Sequence, residues 1–374
     1  MIEGTNLIYE GNIMFVYLAL VGVPAILTLF LGRTNDKLKK QKKQSRILVV
    51  FFALYFLLLA MRNSQVGVDL AQYLPRFRQI ASTPWSEIFS RFDTVEPGYV
   101  LLNKVISSIW VNEQFFLTVV AAATVVPIAI LYCKESEQAF LSISIFLILP
   151  MFSMFFSGLR QSLAIALVVP AYYFMREKKL LRFLLTVLLA YTFHTSALVL
   201  LLLYPLYHAK ITKKALWTVI PGMAVIYIFN KQIFSFIIRF MGEKYADRYS
   251  RLDSTGAYSM LILFILLAIF AFAIPEEEAL DPNTIGLRNL LLFSICLQCF
   301  APINSIAMRM NYYYLLFLPL LIPKIITRCK PKYKQLAALA NVIMCLFFIC
   351  YFYWKAITSA DILRVFDYIP FWEN

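Results

Sequence analysis

The chain has 374 residues, 61% of them hydrophobic and only 15% charged, with a mean hydropathy of +0.72. A water-soluble domain needs about 25% charged residues to solvate its surface. This composition therefore excludes one and predicts an all-α polytopic membrane protein of roughly ten to fourteen transmembrane or re-entrant helices. The net charge of +14 sits in short connectors between apolar runs, which is the positive-inside pattern of cytoplasmic loops and not a nucleic-acid surface.

In chain order, the first apolar run covers residues 13–31. Met1-Ile2-Glu3-Gly4 before it lacks the positive start of a cleaved signal peptide, so this run is expected to be kept. It arrives at a basic stretch, Arg33, Lys37, Lys39, Lys40, Lys42, Lys43 and Arg46, which is placed inside, and 47–61 returns outward. Residues 62–114 form the longest non-apolar segment and are placed outside. Within them 99–110 is apolar but too short to span, and reads as an interfacial or re-entrant helix. Residues 115–132 go in and 139–157 come out; after a tight turn at Gly158-Leu159-Arg160-Gln161, 162–175 return to the basic connector 176–182.

Residues 182–208 admit two readings. As two short spans hinged at Phe193-His194-Thr195-Ser196, each covers about 20 Å of a ~30 Å hydrocarbon core. As one long span, they move every later loop to the other side. The hairpin is preferred, because short broken helices meeting at mid-depth are how membrane proteins line a polar cavity. On that reading 215–230 goes out, 231–257 is a second external loop, 258–274 goes in, 287–306 out, 312–326 in and 335–354 out. The tail 361–374 suits the interface, and the acidic connector Glu276-Glu277-Glu278 stands against this assignment of sides. The whole chain, 1–374, reads as a single membrane domain.

Cys296-x-x-Cys299 lies in an apolar run with no second pair nearby, and reads as small buried residues rather than metal or redox ligands. HExxH, G-x-S-x-G, P-loop and His/Cys metal spacings are absent from the sequence, so no metal and no cofactor is expected. Without an ATP motif, energy must come from the substrate or from a gradient.

Arg62, Arg160, His194 and Arg309 all fall at outer helix ends on this topology, where positive-inside bias depletes arginine. A guanidinium there needs an anionic partner. Asp69 or Glu96 could serve, and so could a lipid phosphate, which the planar fork matches in bidentate fashion. Taken singly, each arginine could merely snorkel to the interface and His194 could merely pack; their convergence favours a site. Asn311-Tyr312-Tyr313-Tyr314, directly after Arg309, could stack on sugar faces.

Arg62-x-x-x-Val66-Gly67-x-Asp69-x-x-x-Tyr73, followed by Glu96-Pro97-Gly98-Tyr99-x-x-Leu102-Asn103, resembles the first external loop of the EpsG family. Gly158-Leu159-Arg160-Gln161-Ser162-Leu163-Ala164 and Phe193-His194-Thr195-Ser196-Ala197-Leu198 resemble its two outer hinges, and Arg309-x-x-x-Tyr313 extends the resemblance over most of the chain. It implies a Wzy-like polymerase of bacterial exopolysaccharide, capsule or O-antigen, GT-C-like, in the bacterial cytoplasmic membrane with its site facing outward. Such an enzyme moves an oligosaccharide repeat unit from undecaprenyl diphosphate onto a second lipid-linked unit. Its partners would be that lipid-linked substrate, membrane lipids and a chain-length regulator.

On this reading Arg62, Arg160 and Arg309 neutralise the leaving diphosphate without a metal. Glu96, Asp69 and His194 are the candidates for the base that takes the acceptor proton, with His194 and Glu96 ranked ahead. Asp69, Tyr73, Tyr99, Gln161 and Tyr313 bind substrate, and Asp69 also orders the external loop by pairing with Arg62. A membrane acyltransferase acting on a surface glycan, and a flippase of lipid-linked sugar, are the alternatives.

Overall fold

The computed structural model describes residues 3–31, 36–212, 214–240, 258–303, 305–358 and 363–373. Its helices are α1 (Glu3–Phe30), α2 (Lys37–Ala60), α3 (Leu70–Ser82), α4 (Ile88–Arg91), α5 (Pro97–Ile109) and α6 (Glu113–Glu135). They continue as α7 (Ala139–Ile148), α8 (Pro150–Ser157), α9 (Leu159–Ala166), α10 (Val168–Arg176), α11 (Leu180–Tyr191) and α12 (Leu203–His208). Next come α13 (Leu216–Ile228), α14 (Asn230–Phe240), α15 (Tyr258–Ala273), α16 (Pro282–Gln298), α17 (Ser305–Leu315), α18 (Leu318–Thr327) and α19 (Lys334–Thr358). The described residues contain no β-strand, only two isolated bridges.

Among the described residues, three helices are long and apolar enough to cross a membrane: Leu38–Ala60, Glu113–Glu135 and Pro331–Thr358. Two expected straight spans are broken instead, by 65° between α7 and α8 and by 45° between α17 and α18, while a 77° bend falls at the end of the expected span 215–230, so that α14 stands where the external loop 231–257 is expected to begin. The first break has a local cause. Pro150 has no amide to donate and forces Leu149 before it into extended backbone, ψ 141°. Four shorter apolar helices complete the set, among them Leu180–Tyr191 and Thr195–His208, which flank the break expected at Phe193–Ser196. Most of the second external loop, from residue 241 to 257, lies outside the described residues.

The sequence reads as one domain, but the contacts divide it into two compact units: Met1–Leu198 with Asn341–Asn374, and Val199–Ala340. In the first, α2 packs along α1 and α6. Its start is fixed by Asp36, whose carboxylate accepts from the Leu38 and Lys39 amides at 2.8 and 3.1 Å. The polar segment 62–114 holds three helices, α3, α4 and α5, where the sequence suggests one. They share a core of Leu70, Leu74, Phe77, Ile88 and Val100, seated on Phe116 and Val120 of α6 and on Leu159 and Leu163 of α9. Lys104, buried in α5, closes α3 by donating to the carbonyls of Ala81 (3.1 Å) and Thr83 (2.6 Å).

The tail, expected as an interfacial segment, is a strap along the start of this segment. Asn63 donates its amide to Ile369 O (2.7 Å), Phe371 to Met61 O (2.8 Å), and Gly67 and Val68 to Arg364 and Leu363 O (both 3.2 Å).

In the second unit α16 begins at Pro282, earlier than the span expected from 287. Asp281 caps it, accepting from the Thr284 amide at 2.8 Å, and Pro282 suits the first helical position. Arg288, overlooked in the sequence, is 1% exposed, lies 4.0 Å from the Phe272 ring centroid, and donates to both oxygens of Glu277 at 2.7 and 3.2 Å. Asp281 pairs with Arg328 at 2.8 Å. Within the acidic connector the Glu277 carboxylate is therefore charge-matched by the protein itself and says little about membrane side.

Candidate active site

Glu96 stands at the N-cap of α5 with extended backbone, ψ 129°, and Pro97 occupies the first helical position. An N-cap acid ordinarily turns its carboxylate onto the first amides of its helix. Glu96 makes no such bond. It reaches instead to Arg160, near the N-terminus of α9, whose Nη1 donates to Glu96 Oε2 at 2.5 Å. The carboxylate is mostly enclosed and the guanidinium about one-third open, at 12% and 31% side-chain exposure. Charges this poorly hydrated attract more strongly than a surface pair, and the short bond is of the charge-assisted kind.

Tyr73 of α3 completes the cluster. Its ring lies 5.8 Å from the Arg160 guanidinium carbon, and its hydroxyl accepts from Arg160 Nε at 3.4 Å. Burial raises the Tyr73 phenol above its ordinary pKa; Arg160 works against that, while Asp69 and Glu96 add to it. The phenol thus keeps its proton, and with Arg160 on its lone pair it has that proton to donate. Tyr99 of α5 packs edge-on against the same ring, centroids 5.7 Å apart.

Two glycines bring these elements together. Gly67 has φ +103°, and a Cβ there would run into the Phe156 carbonyl, so only glycine lets the loop lie against α8. The approach seats Asp69, whose amide donates to Ser157 Oγ at 3.2 Å. Gly98 donates its amide to Thr192 O at 2.8 Å, and a Cβ there would meet the Thr192 side chain. The Glu96 turn is thereby fastened to the break between α11 and the 3-10 turn Thr195–Leu202, where His194 sits. His194 Nδ1 accepts from the Ser196 amide at 3.2 Å and lies 2.7 Å from the Ser196 hydroxyl. An amide can only donate, so Nδ1 carries the lone pair and a neutral ring has its proton on Nε2.

Arg160, Glu96, Tyr73, Tyr99, Asp69 and His194 thus belong to one folded neighbourhood of the first unit. Other expected site residues are placed differently. Arg62 is 1% exposed, donates to Leu59 O at 2.8 Å beneath the Phe156 ring, and makes no ion pair with Asp69. The tail strap, which bridges Arg62 to Pro370, covers it. Tyr99, Gln161 and Tyr313 are closed to solvent, at 0%, 1% and 0% exposure, and pack instead of presenting a surface. The run Asn311–Tyr314 is likewise buried, with Asn311 Nδ2 bound to Ser294 O (3.0 Å) and Gln298 Oε1 (3.1 Å). It offers no face for a sugar to stack on. Arg309 is half-buried on α17 in the second unit. Among the described residues no three His, Cys, Asp or Glu side chains form a metal-holding group.

No curated protein and no solved structure matches the chain significantly. The family model for EpsG matches residues 45–371, a stretch that takes in the Arg160–Glu96 pair, both glycine contacts and the tail strap. With nearly its whole length matched, the chain belongs to the EpsG family of Wzy-like polysaccharide polymerases.

Proposed function

We propose that this protein polymerises polysaccharide by transferring oligosaccharide repeat units from a polyprenyl-diphosphate carrier to a second lipid-linked unit, at the outer face of the bacterial cytoplasmic membrane. The observation that carries this reading is the Arg160–Glu96–Tyr73 cluster, which sets a guanidinium, a carboxylate and a protonated phenol side by side where two short helices meet. In the reaction an acceptor hydroxyl attacks the anomeric carbon of the donor sugar, the bond from that carbon to the diphosphate oxygen breaks, and the hydroxyl proton passes to a base. Arg160 supplies positive charge where the leaving diphosphate gathers negative charge. Tyr73 donates to an oxygen of the same group. Glu96 Oε1 makes no hydrogen bond among the described residues, which leaves it open to receive the proton. His194, whose neutral ring carries its proton on Nε2, holds an acceptor oxygen.

Placement at the outer face is supported by the basic connectors, which collect on the opposite side of the first spans from segment 62–114. These cations and carboxylates provide the charge changes of the reaction from the chain itself. The test is incubation of purified protein with lipid-diphosphate repeat units. A ladder of lengthening glycans is expected, and its absence with a competent donor would remove the polymerase reading.

A further inference from the structure

Arg160 is not a lone cation, since Glu96 matches its charge at 2.5 Å. Arg62 is sealed beneath the strap. A diphosphate arriving at this cluster therefore needs positive charge from another side chain of the first unit. α3 provides it. Asp69, Tyr73 and Arg76 stand at spacings of four and three residues, and so share one edge of the helix. Tyr73, in the middle, is the residue that touches Arg160 and Tyr99. Arg76 lies one turn beyond it, half-buried, and makes no ion pair or hydrogen bond among the described residues. Its charge is felt inside the cluster: burial raises the Tyr99 phenol, and the Arg160 and Arg76 guanidinium groups both act against that rise.

The edge is also polar end to end. Asp69 at one end repels an anion, Arg76 at the other attracts it, and about 10 Å of helix separates them. A ligand with a charged end and a hydroxyl-bearing end lies on such an edge in one direction only.

Resting on the polymerase reading for the identity of the donor, we propose that Arg76 is a second anion contact of the site. It takes the diphosphate of the donor, and the Asp69–Arg76 edge of α3 fixes which way round the donor lies. The experiment uses the full chain in nanodiscs and compares binding of a polyprenyl diphosphate with that of the matching uncharged polyprenol. Arg76→Gln, on a half-exposed position, is expected to keep the wild-type unfolding midpoint and polyprenol affinity while weakening diphosphate binding about tenfold or more, the loss of one charge-assisted contact. Wild-type diphosphate affinity in the variant overturns the assignment. So does an equal loss for both lipids, which would make Arg76 a packing residue. Phosphatidylglycerol in the disc is expected not to compete; full competition would replace the diphosphate site with a general lipid-phosphate contact. If the wild type shows the diphosphate preference, and Arg76→Gln removes it, yet no glycan ladder forms from lipid-linked repeat units, the polymerase reading falls and the anion contact stands.

Discussion

Arg160 and Glu96 are 64 residues apart in the chain and meet at 2.5 Å, each brought there by the first turn of a short helix. Neither helix makes a full span, and the pair joins the polar segment 62–114 to the hinge between α8 and α9. The orientation of the guanidinium is thus set by Glu96 on one side and the Tyr73 hydroxyl on the other.

That geometry makes lysine a poor replacement. Arg160 donates from Nε to Tyr73 and from Nη1 to Glu96 at once, and a single ammonium cannot reproduce the fork. Arg160→Ala is expected to reduce polymer formation by about a hundredfold or more, and Arg160→Lys to recover little of it. Full polymer length in cells with Arg160→Lys would reduce the role of Arg160 to bare charge.

Glu96 and His194 are separable by what their replacements can still do. Glu96→Gln keeps an oxygen for Arg160 but cannot take a proton. Single-turnover transfer should then fall by about 10²–10⁴-fold while the donor still binds. His194→Gln can present an N–H close to where Nε2–H sits, whereas His194→Ala cannot. Substantially more activity in the glutamine variant than in the alanine variant is expected from a histidine that holds the acceptor. Equal loss in both would move the base to His194.

Gly98 tests the fastening of the two halves of the cluster. A methyl group at this position meets Thr192 Oγ1, Cβ and carbonyl oxygen, so Gly98→Ala must push the Glu96 turn away from the break that carries His194. Transfer should drop at least tenfold, as expected when a catalytic group is misplaced by a fraction of an ångström to an ångström. The global unfolding midpoint should fall by only a few degrees, since the core of α3, α5 and α6 is untouched. A normal rate in Gly98→Ala would show that the close approach serves packing alone.

The second unit carries a pH signature. Burial acts to raise the Asp281 carboxyl pKa, but the Thr284 amide and hydroxyl and the charges of Arg328 and Lys324 hold it below the usual value. A depressed folded-state pKa contributes stability that is present above the unfolded value, about 3.9, and is lost as the pH falls through the folded value. Asp281→Asn, which retains capping ability, should therefore unfold at lower temperature than wild type at pH 7. The gap should begin to narrow below about pH 4 and close once the pH has fallen below the folded-state value. Scanning calorimetry at both pH values measures it, and a gap that persists at low pH would assign the effect to something other than charge.

The class of fold is legible in the composition, because lipid contact removes the need for charge over most of the surface. The cluster is legible as a set of motifs: Glu96, Arg160 and His194 stand out as polar groups in apolar surroundings or at rigid turns. Which of these meet is not legible, since it depends on the backbone approaches of Gly67 and Gly98 to distant segments. Burial is hidden for a related reason. Arg62 reads as an outer-end arginine like Arg160, and only the strap from residues 363–373 decides that it is covered. Lys104 and Arg288 could have been found, because a cation inside an apolar run must have a partner. Lys104 finds the end of α3 and Arg288 finds Glu277. The bends in α7–α8 and α17–α18 were signalled by Pro150 and Pro319 but read as continuous spans, since hydropathy averages over a break.

The strap has an arithmetical consequence. Met61, Asn63, Gly67 and Val68 are joined by backbone bonds to Leu363, Arg364, Ile369 and Phe371, so both ends of the intervening chain emerge at the same membrane face. A chain that leaves one face and returns to it has crossed an even number of times. With each expected apolar segment, bent ones included, counted as one crossing, two passes through residues 182–208 give an even total and one pass gives an odd one. Parity thus favours an entry and exit by the same face for that stretch. A protease site placed after residue 373 and one placed at Gln65 should be cut from the same side of a sealed vesicle.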